Sequence, residues 1–228
     1  MITTRNLFLL FTCLFLLALQ RPAVAGEAES LVTKSEAVFK SFMADPNMDW
    51  FRKNVVNAKG ILIIPQMLRG GFFVGGSGGS GVLFAQDFTT GDWSYPAFYT
   101  MGSVSFGLQI GADASEIILM IMTDKGMDGL LSPEFKLGGD VAVAAGPIGM
   151  SAKAQTADVL AFGRSKGAFG GIAIEGAVVS PRNDWNSEYY GKPVRSVDIL
   201  VKRSVSNPQA DPLRALLPKR QPNVQKLH

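Results

Sequence analysis

Cysteine and histidine are almost missing from this 228-residue chain, which holds only Cys13 and His228. Cys13 lies in an apolar run near the start, and His228 is the last residue. A terminal histidine cannot act as the buried general base of a Ser-His-Asp or Cys-His site. If the segment around Cys13 is removed, no disulfide, thiolate nucleophile or Cys-ligated zinc remains. Long hydrophobic runs are scarce too. The run Leu7–Leu19 covers 13 residues, short of the roughly 20 that a membrane-spanning helix needs. These shortages exclude most hydrolase and metalloenzyme chemistry and point to a protein that is not an enzyme.

The first 25 residues read as a signal peptide. Arg5 forms a short basic start, Leu7–Leu19 the apolar centre, and Ala23-Val24-Ala25 a small-x-small cleavage site before Gly26. The expected location is outside the cytoplasm, in the periplasm or on the cell envelope, with a retained anchor as the alternative. Without residues 1–25 the chain carries 20 Lys and Arg against 19 Asp and Glu. That balance is uneven: residues 26–200 hold 14 basic and 18 acidic side chains, whereas 201–228 hold six basic ones against Asp211 alone. The tail reads as a solvated basic segment. Export argues against nucleic acid as a partner.

What the chain has in quantity is glycine, 25 residues in all. Residues 26–57 read as a helical segment. Leu31, Val32, Val38, Phe39, Phe42 and Met43 recur at helical spacing over 29–44, and Asp45-Pro46 starts a second helix through Trp50, Phe51 and Val55. From 58 to 203 the pattern changes to short strands. Ile61–Ile64 is an apolar strand stopped by Pro65, and Phe72–Val74 and Val82–Ala85 flank a Gly/Ser run read as a loop. Val104, Phe106, Leu108 and Ile110 alternate with small or polar residues. Ile117–Met122 is unbroken, as a strand covered on both faces requires. Short helices are predicted at 125–131, 184–190, 196–203 and 211–217, and residues 204–228 form a basic helix and tail. The fold class is α+β: N-terminal helices on a strongly curved, Gly-rich, mainly antiparallel sheet, open or closed into a barrel, with short C-terminal helices.

Several motifs dissolve on inspection. Gly76–Gly81 satisfies the dinucleotide pattern G-x-G-x-x-G, and Gly75–Gly79 the nucleophile pattern G-x-S-x-G, but apolar β-like residues follow where both need a helix. No nucleotide or other cofactor is expected. Asp124–Gly129 lacks the ligand spacing of a calcium loop and reads as a helix cap. Asp140 and Glu175 stand among small and apolar residues, where a carboxylate needs a partner, with Arg164 or Lys166 the candidates. Lys59-Gly60 and Arg164-Ser165-Lys166-Gly167 place cations beside glycine at strand edges, an arrangement that can hold an anionic headgroup.

The order Ala58-Lys59-Gly60, Gly79-Ser80-Gly81-Val82 and Trp93-Ser94-Tyr95-Pro96-Ala97 resembles the SYLF (Ysc84-like) domain. LGGDVAVAAGPIG at 137–149, SKGAFGGIAIEGAVV at 165–179 and Tyr190-Gly191 continue the likeness, which covers about 45 to 200. The resemblance implies binding without catalysis. Eukaryotic members bind lipids, notably phosphoinositides, and some bind actin; members with a signal peptide are described as bacterial lipid-binding envelope proteins. An exported chain meets neither cytoplasmic actin nor cytoplasmic phosphoinositides, so the expected ligand is an anionic phospholipid or membrane surface. The expected contacts are Lys59, Arg69, Arg164 and Lys166 for headgroups, with Phe72 and Phe73 as apolar contacts. The alternative is a structural or protein-interaction module with an envelope protein as partner. Intact mass and N-terminal sequencing of protein from its native host test the leader: the mature chain begins at Gly26, and a retained Met1 refutes cleavage.

Overall fold

The computed structural model describes residues 23–71, 74–106, 111–146, 156–165, 168–170 and 174–220. Helix α1 (Ala23–Ala44) is followed by a short 3-10 turn and α2 (Asp49–Asn54). The turn between them starts as the sequence predicts, with the Asp45 carboxylate accepting from the Asn47 amide at 2.8 Å and Pro46 in the first position. Four long strands come next: β1 (Gly60–Gly71), β2 (Val74–Ala85), β3 (Ala97–Phe106) and β4 (Gly111–Ile121). After them α3 (Asp124–Leu131) is capped by Thr123, whose hydroxyl accepts from the Gly126 amide. Short strands β5 (Phe135–Lys136), β6 (Val143–Ala145), β7 (Val159–Ser165), β8 (Ala168–Gly170) and β9 (Val178–Pro181) complete the sheet. Helices α4 (Asn183–Tyr190), α5 (Ser196–Leu200) and α6 (Asp211–Leu216) close the chain.

The strand order is β5-β9-β3-β2-β1-β4-β7-β6, with β8 on β7. All pairs are antiparallel except β6 with β7. The sheet curves into a half-barrel and stays open, ending in two very short edge strands. Short edges leave little unpaired backbone to recruit another chain.

Both faces of the sheet centre are buried. On one face Ile61, Ile63, Val82, Phe84, Phe98, Ile118, Met120 and Phe162 meet α1, α2, α4 and α6. Within this core the Phe51 ring lies 5.1 Å from that of Phe162 and about 6 Å from those of Phe39 and Phe42, all edge-on. On the other face Leu62, Ile64, Leu83, Tyr99, Ile117, Leu119 and Ile121 meet α3, α5 and the 135–141 segment. Double burial explains why Ile61–Ile64 and Ile117–Ile121 run apolar without alternation.

Two expectations from the sequence are corrected here. Pro65 does not stop its strand, because β1 runs through it on a bulge that shifts register against both β2 and β4. The Gly/Ser run is not a loop, because residues 75–81 lie inside β2. The two facts share a cause. The bulge drives β1 backbone against β2, where a Cβ on Gly79 would lie 2.5 Å from the Gln66 carbonyl oxygen and one on Gly81 2.5 Å from that of Ile63. Glycine is needed there for close approach, not for flexibility. Gly79→Ala and Gly81→Ala therefore each lower stability by about 2 kcal/mol in urea unfolding. Gly76→Ala, whose Cβ finds ordinary room, is neutral or stabilising by up to about 1 kcal/mol. Equal effects at all three positions refute the account.

Candidate functional site

The residues expected to contact headgroups fall at two ends of the sheet. Lys59 immediately precedes β1, where Gly60 pairs with Ala85 and Ile121. Its ammonium lies 2.8 Å from the Asp124 carboxylate and 4.4 Å over the Phe88 ring. Arg69 sits ten residues further on, about 33 Å along an extended strand. Arg164 lies at Arg69's end of the sheet but on the opposite face. It continues the row of Leu160 and Phe162 toward the helices, whereas Arg69 continues the row of Met67.

Arg164 is occupied. Its Nε donates to Glu116 at 2.8 Å, a second guanidinium nitrogen also meets Glu116, and Nη1 donates to the Ser41 hydroxyl at 2.6 Å. The group thereby ties α1 to β4 and β7. Phe72, Phe73 and Lys166 lie outside the described residues, as does His228. Asp140 finds its partner in the Lys136 backbone amide at 2.7 Å rather than in Arg164. The Asp124–Gly129 segment is helical, and Gly76–Gly81 is strand with no helix after it.

An open cleft of about 580 Å³ lies at the other end, near Ala85. It forms where the 201–217 segment folds back over the β2–β3 connection. Arg214 of α6 stacks 3.9 Å over the Tyr95 ring and donates to the carbonyls of Ser94 and Trp93 at 3.2 and 2.9 Å. Asp211 accepts from Arg214 at 3.0 Å and from the Tyr95 hydroxyl at 2.9 Å. The Trp93 indole donates to the Pro218 carbonyl at 3.0 Å, and the Tyr190 hydroxyl to that of Pro96 at 2.6 Å. Each aromatic group is thus pinned by its polar atom.

The other two cations of the cleft are held differently. Arg203 has φ +53, and it is the non-glycine residue with positive φ among those described. It follows α5, where glycine is the usual occupant of a left-handed position. Its Nη2 donates to the carbonyls of Asp92 and Ala85 at 3.1 and 3.3 Å. Lys192 donates to the Ser204 carbonyl at 3.3 Å. Neither has a carboxylate within ion-pair distance among the described residues, whereas Arg214 has Asp211 and Lys219 has Asp92. Burial, then the bond to Asp211, push the Tyr95 hydroxyl above its ordinary pKa, and burial does the same to Tyr190. The phenols stay neutral at physiological pH, leaving the cations to set the charge of the cleft.

Such a site can hold an anionic or acidic group against aromatic walls. It supplies no nucleophile paired with a base, and among the described residues no three His, Cys, Asp or Glu gather as metal ligands. No helix among the described residues is long and apolar enough to cross a membrane. The sequence reading missed this cleft because it treated the basic 201–228 segment as a solvated tail. The available signal was the Trp93-Ser94-Tyr95-Pro96 cluster, whose aromatic residues need polar partners.

Fold and site together define an α+β domain with an open aromatic and cationic cleft. Residues 102–220 match the Ysc84 family, described as "Las17-binding protein actin regulator", and the chain belongs to that family. It is 32% identical to Protein YSC84 of Saccharomyces cerevisiae over 208 residues, covering 84% of this chain and 43% of that protein. It is 32% identical to LAS seventeen-binding protein 3 of the same species over 204 residues, covering 82% and 44%. Against human SH3 domain-containing YSC84-like protein 1 it is 29% identical over 169 residues, covering 72% and 49%. The chain thus spans less than half the length of these relatives. Of these, the name of LAS seventeen-binding protein 3 and the family description refer to binding and regulation.

The Arg164 tie has a testable consequence. Glu116→Gln removes a carboxylate that two guanidinium nitrogens of Arg164 bond, at a side chain only 17% exposed, and lowers stability by about 1–2 kcal/mol in urea unfolding. Unchanged stability refutes the structural role of the tie.

Proposed function

We propose that this chain is a non-catalytic protein-interaction module whose partner docks at the Lys192–Arg203–Arg214 cleft. The observation that carries this reading is the cleft itself: aromatic walls pinned by their polar atoms, one locked arginine, and two cations with no carboxylate within ion-pair distance among the described residues. Aromatic residues and arginine anchor protein interfaces more than other types do. Support also comes from LAS seventeen-binding protein 3, whose name specifies binding, and from the family description, which adds actin regulation. Export, as expected from residues 1–25, would place the partner outside the cytoplasm and make actin the wrong one.

A second reading, docking on an anionic membrane surface, is favoured by one feature. Strands β1, β3 and β7 end at Gly71, Phe106 and Ser165, on the same side of the sheet where β2, β4 and β8 begin. Arg69 lies near these strand ends. Leu68 and Val104 are 55% and 70% exposed near this end. Both sheet faces are packed near its centre, so this reading places lipid against the rim.

Crosslinking in the source cells, followed by mass spectrometry and reciprocal capture, separates the two readings. A protein partner linked through Lys192 or Lys202 supports the module. Absence of a partner there, together with flotation on phosphatidylglycerol vesicles that Arg69→Glu abolishes, overturns it in favour of the membrane.

A further inference from the structure

The cleft also indicates what kind of group it receives. Arg203 occupies a backbone conformation that L-residues adopt at a cost of about 1 kcal/mol, at a position where glycine would be unstrained. Tethering alone accounts for one edge of its guanidinium, since Nη2 takes both protein acceptors. Nε and Nη1 have no acceptor among the described residues, and Lys192 spends one of its three donors on Ser204. Asp87 and Asp92 feel the Arg203 charge at a distance, but neither makes an ion pair with it, so an anion in the cleft would meet a partly buried guanidinium with open donors. Nearby carboxylates are committed elsewhere. Asp211 is shared by Arg214 and Tyr95; Asp92 is held low in pKa first by the bond from Lys219 and Asp87 first by the amides of Thr89 and Thr90, with the Arg203 charge a lesser contribution to both.

We infer that the cleft seats the carboxylates of an acidic segment in a partner protein, with Arg203 and Lys192 as the two cations that receive them. The inference rests on the protein-interaction reading and narrows it to a partner chemistry. A carboxylate suits the guanidinium because its two oxygens can accept from parallel N–H groups. The flanking rings of Tyr95 and Tyr190 give the stems of Glu or Asp side chains an apolar surface to lie on. A peptide also fits an open cleft better than a compact ligand, which would need enclosure to bind well.

The test is fluorescence anisotropy of a labelled decapeptide rich in Glu, titrated with the full chain at low salt. A Gln-for-Glu version of the peptide is the neutral control. Lys192→Glu, at an exposed position with a single hydrogen bond, is expected to weaken binding at least tenfold, and Arg203→Gly to do the same while relieving its backbone. Lys53→Glu, a surface charge on α2, is expected to shift affinity less than twofold. No binding of the acidic peptide, equal binding of the neutral one, or equal losses at Lys53 and Lys192 each overturn the inference. So does displacement of the peptide by inorganic phosphate or phosphatidylglycerol vesicles at matched charge, which would assign the cations to phosphate. Because Lys192→Glu can be read even if Arg203→Gly unfolds, the result is decisive either way. A crosslinked partner that persists in the Lys192→Glu chain would keep the interaction reading and sink only the carboxylate seat.

Discussion

Burial of β1 on both faces is the constraint on which the rest of the molecule depends. A central strand sealed by helices on one side and by a second layer on the other must supply apolar side chains in both directions. It must also be flanked by strands that do the same. That requirement brings β2 and β4 against it and sets the paired cores, with Ile61 and Ile63 facing one way and Leu62 and Ile64 the other. The helices then serve as covers. Their placement leaves one end of the sheet as a Gly-rich rim and puts the basic C-terminal segment over the other.

The two ends have contrasting chemistry. At the rim, side chains are small and the backbone is held in register with little covering it. At the covered end, groups are locked through polar atoms: indole to carbonyl, phenol to carboxylate, guanidinium to paired carbonyls. Such locking lowers the entropy lost when a ligand arrives, because the walls have already been ordered by folding. A flexible cationic tail would bind the same ligand at a larger entropic cost. This is the physical difference between a basic tail and a basic cleft.

The sequence made the helices and the fold class readable because their signals are local. Asp45-Pro46, Thr123 before α3 and the helical spacing of Phe39 and Phe42 each report a short-range preference that the structure keeps. The Gly/Ser run was misread because glycine density carries two opposite meanings, a loose turn or a tight approach, and only the neighbouring backbone decides between them. Lys59 could be read as a cation but not as a partnered one, and Arg164 only with the wrong acids, since Asp124 and Glu116 reach them across the fold. The cleft was invisible for the same reason. Lys192, Arg203 and Arg214 come together only when residues 201–217 fold back onto Trp93 and Tyr95.

The bulge at Pro65 has one further consequence. Before it, odd-numbered residues of β1 face the helices; after it, Gln66 and Leu68 do, opposite Ser80 and Gly78. The extra residue therefore acts as a phase change in the side-chain alternation. Straightening the bulge with that residue kept would turn Met67 toward the helices and carry Gln66 toward the opposite core, with composition untouched. The extra residue and the bulge are consequently inherited together: a descendant of this fold that loses the bulge keeps both cores in phase only by losing the residue as well.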